Sequence, residues 1–384
     1  MQEKKNVLLI TGGFPPEVGG IQNYVYNLCK YSQHNITVLA PEQADTSEFD
    51  SAQKFEIVRK KFLRGNNFIY SGFSLLKDVI RIIKSKDIDI IVCNHVLVSS
   101  IGNLIKHIYK KPFICITYGK DTLEFLGNPI LKRIVLNNLN RANSIITCSN
   151  YTKKEVENLK IEGTKVYSVE PGVDSRFIPK DKDTNLLKKY GLENKKIIYT
   201  ISRLVERKGH DNVIKSMKNI IRRIPNVVYL IVGDGEYRKE LEDLVVKNNL
   251  ADYVVFTGKV REEELLDFYN LGDVFVMPCR YVEDKGSVEG FGIVYLEAAA
   301  CRKPIIGGNS GGAPEAVGGR DTGILVDPSN IDAISNEIIF LLEHKDFADE
   351  MAKNARKRIE KHFSYEILSK KFDQVITHSV DEMR

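Results

Sequence analysis

The stretch VFVMPCRYVEDKGSVEGFGIVYLEAAACRKPIIGG, residues 274–308, sets two apolar runs, VFVMP (274–278) and PIIGG (304–308), on either side of a helical segment. Gly290 and Gly292 break any helix before Ile293, which leaves Glu289 in a loop and Glu297 in the helix that follows. Short apolar strands alternating with helices predict a parallel sheet covered on both faces.

The same rhythm runs outward in both directions. After residue 172 the expected strands are KIIYTIS (196–202), VVYLIVG (227–233), VVFTG (254–258), VFVMP, PIIGG and GILV (323–326). Before it they are VLLIT (7–11), ITVLA (36–40), DIIVC (89–93), FICIT (113–117), SIITC (144–148) and KVYSV (165–169). Between the two sets, EPGVDSRFIPKDKD has Pro171, Gly172 and Pro179 and no apolar periodicity, and it reads as a linker. A chain of 384 residues exceeds the size at which one core keeps growing. The expected fold class is therefore α/β with two Rossmann-like domains, 1–172 and 173–365. The amphipathic segment FSYEILSKKFDQVITHSV could pack on either of them.

Ligands of doubly wound sheets bind outside the carboxyl ends of the strands, so the loops just after strands are the informative ones. After the first strand, Gly19 and Gly20 precede a helix starting near Ile21, where free N–H groups suit a phosphate. It is neither a GxxxxGK[ST] nor a GxGxxG loop. After the strand 196–202 come Arg203, Arg207, Lys208 and Gly209, cations placed to neutralise a diphosphate as a leaving group. Eight residues of unbroken helix would separate Glu289 from Glu297 by about 12 Å, which suits the two ends of a nucleotide-sugar. On that reading Glu289 faces the sugar and Glu297 the ribose. The N–H groups of Gly290, Phe291, Gly292 and Ile293 point at the diphosphate between them. The AAAC run makes the Glu297 face a buried one, where a charge needs a partner. Asp87-Ile88-Asp89 begins a strand and Asp181-Lys182-Asp183 lies in the linker, so neither reads as a metal site. His95 and His210 are single histidines. Asp121, just after the strand 113–117, is better placed.

Bulk properties exclude several classes. The composition, 43% hydrophobic and 28% charged, is that of a globular protein, not a disordered one. The first apolar run is too short for a signal peptide and nothing approaches a spanning helix, so a cytoplasmic location is expected. Six singly scattered cysteines predict buried, reduced thiols and no zinc site. Residues 1–172 carry a net +7 and residues 173–384 a net −2. The clusters Arg59, Lys60, Lys61, Arg64 and Lys77, Arg81, Lys84, Lys86 could meet anionic lipid headgroups, or be a solvated face.

With these segments in hand, the chain resembles the family 4 retaining glycosyltransferases of the GT-B fold. The motifs run in order over almost the whole length: FPPEVGGIQNY, TYGKD, SNYTKKEV, PGVD, SRLVERKG, VGDGEYR, FTGKV, VEGFGIVYLEAAACRKPII and SGGAPEAV. The resemblance implies two domains facing each other across a cleft, with a C-terminal helix, 366–384, returning to the first, acceptor-binding domain. It implies that Gly20 contacts the donor phosphates with Gly19 beside it, and that Arg203 and Lys208 grip the diphosphate. Glu289 would bind the transferred sugar and Glu297 the ribose. Gly258, Lys259 and Val260 would line the nucleobase pocket, and Ser310 to Ala313 would flank the site. Glu289, Tyr118 and Asp121 are the expected catalytic residues. Transfer would retain the anomeric configuration without a metal or other cofactor. Many members have His where Tyr118 stands; a phenol is longer and stays neutral, which leaves the donor sugar open.

Through VEGFGIVYLEAAAC and SGGAPEAV the likeness is to bacterial phosphatidylinositol-mannoside mannosyltransferases and polysaccharide-building relatives. It implies GDP-mannose or a UDP-hexose as donor and a lipid-linked or glycan acceptor. It also implies a peripheral place on the inner membrane face, with no nucleic acid involved. The competing readings are a nucleotide-sugar epimerase of the same fold, which needs no acceptor, and a non-enzymatic sugar-binding protein.

Overall fold

The computed structural model describes residues 3–17, 19–61 and 68–383. Contacts divide them into two compact units, Met1–Pro171 with Tyr365–Arg384, and Gly172–Ser364.

Unit 1 is built on seven parallel strands: β1 (Asn6–Ile10), β2 (Asn35–Pro41), β3 (Glu56–Lys60), β4 (Ile90–Cys93), β5 (Phe113–Thr117), β6 (Ser144–Thr147) and β7 (Lys165–Ser168). Their order is β3-β2-β1-β4-β5-β6-β7. The central strands are unbroken apolar runs because both faces are covered. In β1, Val7 and Leu9 point to one face and Leu8 and Ile10 to the other, and all four are fully buried.

The final helix, Tyr365–Asp381, packs on the Val7/Leu9 face beside the helix Gly20–Tyr31. Phe372, Val375, Ile376 and Val380 recur at helical spacing and enter the core there. Asp373 locks the contact by accepting from the Ser32 hydroxyl at 2.5 Å and the Gln33 N–H at 2.9 Å.

Unit 2 has six parallel strands: β8 (Lys196–Ile201), β9 (Val227–Val232), β10 (Val254–Gly258), β11 (Val274–Met277), β12 (Ile305–Gly308) and β13 (Ile324–Val326), in the order β10-β9-β8-β11-β12-β13. All six cysteines are free and buried. Among the described residues no helix is long and apolar enough to cross a membrane.

Two expectations need correction. EIVRK (56–60) is an edge strand, and Arg59 on it is no free cation. Its guanidinium, 9% exposed, pairs with Asp50 at 2.7 Å and donates to the Pro15 carbonyl at 2.6 Å, tying down the loop after β1. Arg64 lies outside the described residues. The second correction concerns the segment read as a linker, which from Gly172 onward is part of unit 2. Phe177 is buried against Tyr269, the Lys180 N–H bonds Asn270 at 2.8 Å, and Lys182 pairs with Asp273 at 2.7 Å. Asp183 caps the helix Thr184–Lys189, and Asp89 accepts from the Asn6 N–H at 2.8 Å, so both acidic triplets contain a carboxylate with a structural role.

Candidate active site

In each sheet the strand order reverses once, between β1 and β4 in unit 1 and between β8 and β11 in unit 2. Loops leaving such a pair of strands diverge and open a crevice at the carboxyl edge. Most of the candidate residues stand on these loops.

In unit 2, β8 runs into Ser202 and the exposed Arg203, then into a tight turn, Glu206–Lys208, and the helix His210–Arg223. Gly209 joins turn to helix at φ 77°, and a Cβ there would sit 2.2 Å from the Pro278 carbonyl oxygen, so only glycine fits. This close approach brings the turn against the segment following β11. There Lys208 Nζ lies 2.6 Å from Glu289 Oε2, and Arg207 Nε lies 3.7 Å from the same oxygen. All three side chains are largely buried. Burial alone would raise the Glu289 carboxyl, but the charges of Lys208 and Arg207, with Arg203 further off, outweigh it and hold it below the usual range. Glu289 is thus a carboxylate that accepts hydrogen bonds and has no proton to give.

Beyond Glu289, Gly292 at φ 95° turns the chain into the helix Ile293–Ala300, with Gly290 and Phe291 in the approach to its N-terminus. The loop 310–313 supports this turn, the Gly312 N–H donating to the Glu289 carbonyl at 2.9 Å. Four residues into the helix, Glu297 accepts from the Tyr269 hydroxyl at 2.5 Å. Burial pushes its carboxyl up to about 7, with Glu262 and Asp174 adding to the rise and Tyr269 and Arg176 opposing it. At the end of β10, Gly258 accepts from the Gly233 N–H at 3.0 Å, with half-buried Val260 and exposed Lys259 following. The turn assigned to the nucleobase therefore sits beside the glycine turn that ends β9.

Behind the Arg203–Lys208 loop lies a buried hydrogen-bonded chain. His210 Nε2 meets Ser202 Oγ at 2.9 Å, its Nδ1 meets the Tyr229 hydroxyl at 2.9 Å, and Tyr229 meets Thr200 Oγ1 at 2.8 Å. Thr200 donates to the Val276 carbonyl, so Tyr229 donates to Thr200 and accepts from Nδ1–H, and Nε2 shares the single Ser202 hydroxyl proton with the Arg203 carbonyl, 3.2 Å away. Burial pushes the imidazole down to about 3, which keeps it neutral.

In unit 1, Gly19 is the N-cap of the helix Gly20–Tyr31 and has no side chain with which to cap its first amides. The Gln22 side chain folds over this loop so closely that a Cβ on Gly19 would be 2.3 Å from its Oε1. Tyr118, just after β5, donates to Asn94 Oδ1 at 2.5 Å, and Asn94 Nδ2 donates to Thr11 Oγ1 at 2.9 Å. The ends of β1, β4 and β5 are thereby joined by one polar chain, and Tyr118 is held by it. Burial raises the phenol well above its ordinary value, so it is neutral at every working pH. Asp121 Oδ1 accepts from the Tyr118 N–H and from Thr117 Oγ1, both at 2.8 Å. Burial raises its carboxyl, opposed by nearby His95. Asp121 shapes the turn that carries Tyr118.

The structure brings Lys208 to Glu289 and Tyr118 to Asp121, and it sets Glu297 in a separate contact with Tyr269. The sequence reading missed Tyr269, Asn94, Thr11 and Gln22. Asn94 and Thr11 follow strands and could have been found by that rule; Tyr269 sits inside the apolar run LLDFYNL and carries no such signal. Among the described residues no three His, Cys, Asp or Glu side chains gather as a metal-binding set.

Residues 182–358 match the glycosyl transferases group 1 domain and residues 18–177 the Glycosyltransferase Family 4 domain. A GDP-mannose-dependent alpha-(1-6)-phosphatidylinositol monomannoside mannosyltransferase of Mycobacterium tuberculosis is 32% identical over 376 residues, 95% of this chain and 96% of that protein. The enzyme of the same name from Mycolicibacterium smegmatis is 31% identical over 344 residues, 88% of this chain and 89% of its own length. Among solved structures, sucrose-phosphate synthase from Thermosynechococcus elongatus superposes with a TM-score of 0.82 at 19% identity, over 99% of this chain and 100% of that one. Anabaena HepE in complex with UDP and glucose gives 0.80 at 19% identity, over 97% and 99%. These two likenesses show the fold, GT-B. None of these relatives is named as an epimerase, and that alternative has no support among them. With both halves matched and relatives of this identity spanning nearly all of it, the chain belongs to the family 4 glycosyltransferases.

Proposed function

We propose that the protein moves a hexosyl group, mannose by analogy with its GDP-mannose-dependent relatives, from a nucleotide-sugar to a hydroxyl of a lipid-linked or glycan acceptor. The step retains the anomeric configuration and uses no metal, and it serves glycolipid or cell-envelope polysaccharide synthesis. The observation that carries this reading is the ion pair of Lys208 and Glu289 beside the N-terminus of the helix Ile293–Ala300.

Each part has a chemical task. Lys208 and Arg203 meet the charge that develops on the diphosphate as the glycosidic bond lengthens, and helix N–H groups from Gly290 to Ile293 share it. One donor placed on developing charge in a dry site is worth roughly 3 kcal/mol of barrier. Glu289, held ionised, accepts from hydroxyls of the transferred sugar. Glu297 takes the ribose, and Gly258, Lys259 and Val260 the base. In unit 1, Gly19 and Gly20 offer N–H groups to a substrate phosphate, and Tyr118 a neutral phenol to a sugar hydroxyl. The departing phosphate oxygen removes the acceptor's proton, so the protein need supply no base. Asp121 serves this chemistry by fixing Tyr118.

The acceptor side is proposed to work at the cytoplasmic face of a membrane. Lys77, Arg81 and Lys84 form one exposed stripe on the helix Phe68–Ser85, with Phe73, 72% exposed, one turn before Lys77. Flotation with anionic vesicles that weakens with salt supports that placement; salt-independent or absent flotation removes it.

The main test is a thermal-shift panel of nucleotides and nucleotide-sugars, followed by transfer with the best donor and a lipid-linked mannoside acceptor. GDP-mannose should raise the melting temperature, a chelator should leave turnover unchanged, and the product's anomeric proton should report retention. Turnover without any acceptor, or an inverted product, would overturn the reading.

A further inference from the structure

Glu297 uses one of its two oxygens inside the protein. Oε2 accepts from Tyr269, which stands on the helix Leu265–Leu271. Tyr269 is fully buried, its ring edge-on to Phe177 at 5.4 Å and to Tyr199 at 6.3 Å and tilted against Phe275 at 6.3 Å. Packing therefore fixes where the hydroxyl points, and the hydroxyl fixes the carboxyl. Oε1 has no hydrogen-bond partner among the described residues.

The charged and titratable groups around this carboxyl come from several elements, among them Arg356 on the helix Lys345–His362, which donates to the Phe177 carbonyl at 2.8 Å and to the Ala300 carbonyl. Asp174 and Arg176 belong to the segment before Phe177, Glu262 to the turn ahead of Tyr269, and Cys301 to the end of the carboxyl's own helix. Arg176 is itself paired with Glu262. Burial raises this carboxyl most, and two neighbouring carboxylates facing a guanidinium that is already engaged add to the rise, so the group changes its charge near neutrality.

We propose that Tyr269 is the positioning residue of a nucleotide-ribose subsite: by holding one oxygen of Glu297 it presents the other to a vicinal diol. This rests on the assignment of Glu297 to the ribose. The chemistry follows from hydrogen-bond capacity. Both ribose hydroxyls can donate to a carboxylate, whereas a neutral carboxyl must also place its own proton and accepts less well. A ribonucleotide therefore binds tighter once Glu297 is ionised, and its binding at lower pH expels a proton. The Tyr269 hydroxyl favours the ionised form, so removing it moves the transition to higher pH.

The experiment uses the full chain and whichever of GDP or UDP raises its melting temperature more, together with the 2′,3′-dideoxy counterpart. Affinities of both are measured by calorimetry from about pH 5.5 to about pH 8.5 for the wild type, Tyr269→Phe and Glu297→Gln. The ratio of ribo to dideoxy affinity cancels titration of the phosphates themselves. In the wild type this ratio should rise through neutrality by tenfold or so, and in Tyr269→Phe its midpoint should move up by about one pH unit, with dideoxy affinity unchanged. In Glu297→Gln it should be flat. If Tyr269→Phe leaves the midpoint in place, or lowers both affinities alike, the positioning role is overturned. If ribo and dideoxy nucleotides bind the wild type equally at every pH, the ribose assignment itself has failed.

Discussion

Glu289 keeps its negative charge at 12% side-chain exposure because Lys208 and Arg207 stand against it. Glu289→Ala leaves two cations facing each other without a counter-charge. It should cost about 3 kcal/mol of stability, read from denaturant melts, and abolish transfer. Binding of GDP by calorimetry should survive, since the cations remain. Turnover near the wild-type rate would refute the assignment. The buried pair Glu297 and His210 should bend stability against pH in opposite senses. Glu297 sits near 7 against an ordinary 4.5, so its share of stability is full below about 4.5 and is lost as pH rises through about 7. His210 sits near 3 against 6.5, so its share is full above about 6.5 and is lost as pH falls towards 3. Melting temperatures should show the neutral-side fall flattened in Glu297→Gln and the acid-side fall flattened in His210→Gln. That Glu289 and Lys208 stand in loops between a strand and a helix was legible from the glycines that follow them, Gly290, Gly292 and Gly209. The partner of Glu297 was not, because Tyr269 is 28 residues away and looks like core until its hydroxyl is located.

At the level of elements, the parallel strands were readable wherever both faces are covered, since burial demands an unbroken apolar run. Strand β3 escaped because it is an edge: EIVRK has two apolar residues, none of its residues is fully buried, and its charges looked like surface. The Arg59 ion pair explains how a charged strand is accommodated there. Arg59→Met should strand Asp50 beside an apolar side chain and free the loop after β1, costing roughly 3 kcal/mol in thermal or denaturant unfolding. If Arg59 is only a surface cation, the change will be within experimental error. The segment after Gly172 was misread for a related reason: periodicity is absent, and the contacts that order it, such as Phe177 on Tyr269, lie far along the chain. Gly209→Ala must relieve a clash with the Pro278 carbonyl as well as an unfavourable φ. Loss of diphosphate affinity together with at least ~1 kcal/mol of stability is expected, because the turn bearing Lys208 would shift.

On the scale of the molecule, two doubly wound sheets follow from the alternation of strand and helix, and their switch points gather most of the residues singled out in the sequence. What periodicity could not give was the destination of the last helix, since an amphipathic stripe states that a face is buried and not against what. The resemblance pointed to unit 1, and Phe372, Val375, Ile376 and Val380 are in its core. A chain ending at Ser364 would uncover those partners. At about 1.5–3 kcal/mol per large apolar side chain, the loss approaches the whole stability of a domain. Limited proteolysis of this truncation should leave unit 2 protected and unit 1 digested; equal protection of both would contradict the packing described.

That helix also fixes an order in time. Synthesis delivers residues 1–171 first, yet the sheet they form lacks one of its covering layers until residues 365–381 leave the ribosome. The unit whose larger part is made earlier is the last to finish folding. Its apolar face, bounded by Val7, Leu9 and Val25, remains open while all of unit 2 is made. Nascent chains stalled before residue 365 should therefore engage chaperones through residues 1–171, and release should come once the helix Tyr365–Asp381 has emerged.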